Sequence, residues 1–265
     1  MTKPLWLMGL SELIGTLLLM AIGCSFVVVD FAHGSPVVHL IPDPGIRRAL
    51  TGFLFGCTGG SIALSKVGKV SGAHINPVVT LAFWLQKKIS GSLALIYVGG
   101  QMAGAIIGTT LLSVFGPWAH ETHYAATVPG PLGPGIAVLG ETLTTFCLIV
   151  GLMVFVGHPA LRRFTPAIFP SLYAIMVYLE APWSGTSTNP ARSLGPAVVS
   201  HVYTGLWVYA IGPVLGTLIG LWVLGRVVPF FEWEITVAKL YHFHHDPYHV
   251  LGGQHIFTPP KSPGF

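Results

Sequence analysis

Apolar runs dominate the chain from one end to the other. A helix needs about 20 mostly apolar residues to cross a bilayer, and six runs are suited to it, at about 7–29, 48–65, 92–114, 136–157, 166–181 and 204–227. Two further apolar stretches, 77–86 and 190–200, are about ten residues long and reach only about 15 Å as helices, half the thickness of a membrane. The pattern predicts an all-α membrane protein of six crossing helices and two half-length ones.

The two short stretches open on the same dipeptide, Asn76-Pro77 and Asn189-Pro190. These lie in the related strings Ser71-Gly72-Ala73-His74-Ile75-Asn76-Pro77-Val78 and Ser184-Gly185-Thr186-Ser187-Thr188-Asn189-Pro190-Ala191. One Asn-Pro reads as a turn; two in matching surroundings read as an internal repeat. Span one carries Ser11-Glu12-Leu13 ahead of its apolar run, and span four carries Gly140-Glu141-Thr142 in the same place. A single domain over 1–265 is therefore expected. Its repeats cover about 7–114 and 136–227, with a loop at 115–135 between them and a His-rich tail over about 228–265. Three crossings per half make the second half enter from the opposite side. The short helices then approach each other from opposite faces, and such inverted repeats place a site at the midplane.

Composition agrees with this and adds an orientation. Charged residues make up 8% of the chain, against roughly a quarter in soluble domains, and hydrophobic residues 52%, with a mean hydropathy of +0.71. A disordered chain or a nucleic-acid binder is excluded. Lys66, Lys69, Lys87 and Lys88 lie between spans two and three, Arg162 and Arg163 between four and five, and Lys239 and Lys261 in the tail, whereas the 115–135 loop has neither Lys nor Arg. The positive-inside rule then puts both termini in the cytoplasm, although Arg47 and Arg48 fall on the wrong side. Ala21-Ile22-Gly23-Cys24 faintly resembles a lipoprotein cleavage box, but the flank carries only Lys3 and further spans follow, so this run is read as a first transmembrane helix. Cys24, Cys57 and Cys147 have no paired or metal-ligand spacing and are expected to be ordinary buried thiols.

Asn is a preferred helix N-cap, and Pro is tolerated at the first helical position. Two such helix starts meeting at the bilayer centre bring together two positive ends, each equivalent to about half an elementary charge. Cations are opposed there, while the Asn amides can donate hydrogen bonds to a neutral solute. Glu12 and Glu141 are intramembrane acids, readable as proton relays or as braces that accept backbone N–H bonds from the re-entrant loops; their symmetric placement favours braces. His74 is a packed loop residue or a pH-sensitive gate. Glu180 and Trp183 shape the mouth or anchor the interface, with anchoring favoured. His242, His244, His245, His249 and His255 in the tail belong to a solvated segment or form a weak candidate for binding Zn²⁺ or Ni²⁺. No cofactor is implied.

The strings Ser71-Gly72-Ala73-His74 with Asn76-Pro77, and Gly185-Thr186-Ser187 with Asn189-Pro190-Ala191-Arg192-Ser193 and Gly195-Pro196, are similar to the paired motifs of the aquaporin, or major intrinsic protein, family. The resemblance runs from about residue 7 to 227 and departs at Val78, where the family usually has Ala. It implies six tilted helices, two re-entrant half-helices, no enzymatic activity, and a homotetramer in the lipid bilayer with one pore per subunit. Asn76, Asn189, Pro77, Pro190 and His74 would form the pore loops, and Arg192 the cationic side of an outer constriction. Thr186, three residues before Asn189, and Val177, twelve before it, fall on two more constriction positions. Strict water channels commonly have His where Val177 stands, so a roomier, less polar filter is expected. The fourth position is Gly56 by an ungapped offset, or Phe55 if an extra residue lies near Gly59-Gly60. The resemblance thus implies a passive channel for water and small uncharged solutes such as glycerol, ammonia, urea or neutral metalloid hydroxides, with ions and protons excluded. The alternatives are a strictly water-selective pore and a secondary transporter, which would need coupling-ion ligands where this midplane offers neutral amides.

Overall fold

The computed structural model describes residues 5–158 and 160–227. The tail over about 228–265, with His242, His244, His245, His249 and His255, lies outside the described residues. Eight helices among the described residues carry the architecture. They are α1 (Leu5–Phe31), α2 (Pro44–Leu64), α3 (Pro77–Leu85), α4 (Gly91–Phe115), α5 (Pro134–Gly157), α6 (Thr165–Ser184), α7 (Pro190–Ser200) and α8 (Val208–Val227). Five of them, α1, α4, α5, α6 and α8, are long and apolar enough to cross a membrane. α2 has 21 residues, enough for about 31 Å, but it carries Arg47 and Arg48 near its start and is less apolar.

Helix starts follow local chemistry. Asp43 caps α2 by accepting the Ile46 N–H at 2.9 Å, with Pro44 in the first turn, and Ser90 caps α4 through the Leu93 N–H at 3.2 Å. The last long helix begins at Val208 rather than near 204, because His201 and Gly205 adopt positive φ, 59° and 65°, and bend the chain first. α1 runs past 29 to include Asp30, which is buried and accepts the Thr51 hydroxyl at 2.5 Å. Arg47 is folded inward. Its guanidinium donates to the carbonyls of Ile41 at 2.6 Å and Pro42 at 2.9 Å and lies over the Phe31 ring, so its charge is met by protein groups. The expectation of three buried thiols holds only for Cys24; Cys57 is half-buried and Cys147 is exposed on α5.

Packing repeats between the halves. α1 lies along α4 and α5 along α8, while α2 and α6, the equivalent helices of the two halves, lie against each other. The short helices reach across: α7 packs on α4, and α3 touches both α4 and α8. This exchange brings the starts of α3 and α7 together in the interior.

Candidate pore and its two loops

The loops before α3 and α7 are built alike. Gly72 and Gly185 end the preceding turns at φ 86° and 84°, in the left-handed region that glycine enters without strain. Ala73 and Thr186 follow at φ 52° and 51°, and Ile75 and Thr188 at 43° and 53°. Positive φ at these non-glycine residues costs about 1–3 kcal/mol each, so the surroundings must hold the loops in place. Glu12 accepts the His74 N–H at 2.9 Å, the Ile75 N–H at 2.6 Å, the Ser71 hydroxyl at 2.5 Å and the Gln101 amide at 2.7 Å. Glu141 accepts the Ser187 N–H at 2.7 Å, the Thr188 N–H at 2.8 Å and the Ser184 hydroxyl at 2.5 Å. Both carboxylates are completely buried.

The asparagines join the two loops. Asn76 Oδ1 accepts the Val78 N–H at 3.0 Å, and Asn189 Oδ1 accepts the N–H groups of Ala191 at 3.0 Å and Arg192 at 3.3 Å, so each caps its own helix behind Pro77 or Pro190. Their amide nitrogens cross over: Asn76 donates to the Thr188 carbonyl at 2.9 Å and Asn189 to the Ile75 carbonyl at 3.0 Å. One N–H per amide is used in this exchange. Each amide has a second donor, and both residues border the same midplane cavity.

Two cavities lie along this axis. The midplane cavity, of about 40 Å³, is bordered by Asn76, Asn189, His74, Gly56 and Phe55. His74 is completely buried, its ring stacked on Phe83 at 4.5 Å and edge-on to Tyr97 at 5.0 Å, with Nδ1 3.2 Å from the Thr80 hydroxyl. The second cavity, of about 280 Å³, opens beside the 115–135 loop. Arg192, Thr186 and Val177 border it together, and the Arg192 guanidinium donates to the Ala125 carbonyl at 2.7 Å. Val78 is buried, as a packing residue should be.

Of the two candidates for the fourth constriction position, Phe55 borders both cavities and Gly56 only the midplane one. Gly56 faces α6, where an added Cβ would come within 2.5 Å of the Phe169 carbonyl. Glu180 does not anchor an interface: it is 5% exposed and accepts the Thr186 hydroxyl. Trp183 is half-buried, and its carbonyl accepts the Gly130 N–H at 2.8 Å.

Residues 2–224 match the Major intrinsic protein family. The chain belongs to that family. It is 32% identical over 219 residues to a probable aquaporin of the NIP type from Nicotiana alata, covering 82% of this chain and 76% of that one. To nodulin-26 from Glycine max it is 31% identical over 217 residues, again 82% and 76%. The fold matches the aquaglyceroporin from Plasmodium falciparum with a TM-score of 0.70 at 18% identity, over 86% of this chain and 98% of that one. This major intrinsic protein is thus a multi-pass membrane channel and not an enzyme.

Sequence reasoning missed several residues of this channel. Tyr97 and Tyr209 donate to the Ser71 and Ser184 carbonyls, both at 2.7 Å, and aligning the second parts of the repeats would have paired them. Gly52 borders the larger cavity and Tyr173 both, because α2 and α6 approach closely, a relationship no local motif records.

Proposed function

We propose that the channel passes water together with at least one small uncharged solute among ammonia, urea, glycerol and neutral metalloid hydroxides. The observation that carries this reading is the wall of the larger cavity, where Arg192 and the Thr186 hydroxyl share the space with Val177, Phe31 and Phe55. Such a wall suits molecules that combine hydrogen-bonding groups with a less polar face. Arg192 and the two helix starts oppose cations. The NIP-type relatives are named aquaporins, which supports the water part of this reading.

In this reading Asn76 and Asn189 cap the half-helices and present amides to the solute, and Arg192, Thr186 and Val177 form the outer filter. Glu12 and Glu141 act as braces, a role supported by their hydrogen bonds to loop N–H groups. We also propose a single domain, a homotetramer with one pore per subunit, and cytoplasmic termini. The orientation is supported by the distribution of Lys and Arg and by the internal pairing of Arg47.

Stopped-flow swelling and shrinking of reconstituted vesicles tests the solute range. Water flux with uptake of at least one of these solutes is expected, linear in gradient and weakly temperature-dependent. Water flux without uptake of any of them would establish a strictly water-selective pore, and saturable, ion-coupled flux a transporter.

A further inference from the structure

We infer that Phe55 and Tyr173 form a second constriction, between the outer filter and the asparagines, and that this aromatic pair sets the size limit of the channel. The inference rests on the channel reading above and adds to it which residues rank the solutes.

The location follows from the cavities. Among the described residues, only Phe55 and Tyr173 border both the 280 Å³ cavity beside the loop and the 40 Å³ cavity at the asparagines. The pair is therefore the partition between them. Its ring centroids are 5.8 Å apart with planes inclined at 44°, within the contact range of aromatic pairs. No water-wide slot remains between the rings, and a solute moving from one cavity to the other passes their edges. The cavity on the Arg192 side is the larger of the two, and the aromatic pair stands between it and the asparagines.

Each ring is held in place. The Phe55 ring occupies the space over Gly23, where a Cβ would come within 2.7 Å of it. Gly23 ends a π-helical turn, Leu19–Gly23, inside α1; such turns within helices are rare and recur at functional sites. Tyr173 is 2.9 Å from the Thr188 hydroxyl, which spends its own hydrogen on the Ser187 carbonyl at 2.7 Å, so the phenol is the donor. Thr188 is the residue whose carbonyl receives the Asn76 amide. Tyr173 is thereby tied to the asparagine exchange. Gly52 and Gly56 flank Phe55 on α2 and rest on the α6 backbone at Tyr173 and Phe169, which keeps the two helices, and the two rings, at close range.

The consequence is a ranking by size. Ring faces and edges return none of the hydrogen bonds a solute brings with it, so a molecule at the partition keeps only those it makes elsewhere. Water and ammonia, with few such bonds to lose and little width, pass ahead of urea and glycerol.

The test is stopped-flow permeability of water, urea and glycerol in vesicles holding the full chain or its variants. Tyr173→Val should raise the urea-to-water ratio by about tenfold, equivalent to a barrier lower by about 1.4 kcal/mol. Tyr173→Phe keeps the ring but releases it from Thr188, and should raise the ratio less. Val177→Ala should have a larger effect in the Tyr173→Val background than alone. An unchanged ratio in a water-conducting Tyr173→Val, or the full gain from Val177→Ala alone, would overturn the inference. Should Tyr173→Val conduct no water, Phe55→Leu is read in its place, with the same two outcomes. Absence of water flux in the unmodified protein would instead defeat the channel reading itself.

Discussion

The Thr186 hydroxyl donates its hydrogen to Glu180, a carboxylate buried behind the larger cavity. A hydroxyl has one hydrogen and two lone pairs, so Thr186 turns toward the cavity as an acceptor only. Arg192, which borders the same cavity, can only donate. A solute there meets a donor and an acceptor of fixed polarity. Thr186→Val, which keeps the shape and removes the acceptor, should lower urea permeability relative to water by about fivefold, the worth of one hydrogen bond of about 1 kcal/mol. Glu180→Leu should act in the same direction, and should add nothing to the selectivity change in a Thr186→Val background. An additive double variant in the same stopped-flow measurement would show that Glu180 does not act through Thr186.

Asn189→Asp separates the two jobs of the asparagine. The carboxylate keeps the acceptor that caps α7 at Ala191 and Arg192 but loses the donor to the Ile75 carbonyl. It also places a negative charge where two positive helix ends meet, worth about 4 kcal/mol to a monovalent cation at 4 Å under an effective dielectric of about 20. Water permeability should fall and a cation conductance should appear in planar bilayers. Asn189→Ala loses the cap, at about 1 kcal/mol, and should reduce stability without creating that conductance. Equal conductance in the two variants would remove the electrostatic part of the account.

These outcomes mark where sequence and structure part. Asn76, Asn189, Glu12 and Glu141 could be read along the chain because each performs local chemistry, a cap or a buried acceptor, and because the repeat shows that chemistry twice. Glu180 could not be read that way. An acid near the end of an apolar run looks like an interface group until Thr186 is seen to fold back onto it. The choice between Phe55 and Gly56 was equally out of reach of counting offsets. It turns on the direction in which each side leaves α2, and that depends on how closely α6 approaches. Arg47 offended the charge rule for a related reason: the carbonyls of Ile41 and Pro42 that neutralise it belong to a loop whose path the hydropathy pattern does not give.

Gly56 and Gly59, three residues apart on α2, should respond oppositely to alanine. At Gly56 the new methyl meets the Phe169 carbonyl at 2.5 Å and the Pro170 Cα at 2.7 Å, backbone atoms that cannot step aside. Overpacking of this kind costs about 1–3 kcal/mol. At Gly59 the nearest neighbour is the Leu19 side chain at 4.0 Å, so the gain in helix propensity, up to about 1 kcal/mol, is kept. Thermal unfolding in detergent should give a lower Tm for Gly56→Ala and an equal or higher one for Gly59→Ala. A tolerated Gly56→Ala would mean that α2 and α6 are not held at this distance.

Glu141→Gln tests whether the buried acids hold the loops or carry protons. Both glutamate oxygens accept backbone N–H groups, Oε1 from Ser187 and Oε2 from Thr188. A glutamine offers one acceptor oxygen and one NH₂, so one of the two backbone donors must face another donor. An unsatisfied buried group costs about 1–3 kcal/mol, and the strained residues Thr186 and Thr188 lose part of what holds them at positive φ. The variant should therefore assemble poorly and unfold at a lower temperature, while the molecules that do fold keep the solute ranking of the parent. Glu12→Gln should be at least as severe, because the Gln101 amide is a further donor aimed at that carboxylate beside the two backbone N–H groups and the Ser71 hydroxyl. Normal stability combined with lost proton flux in either variant would reverse the assignment and make the acids a relay.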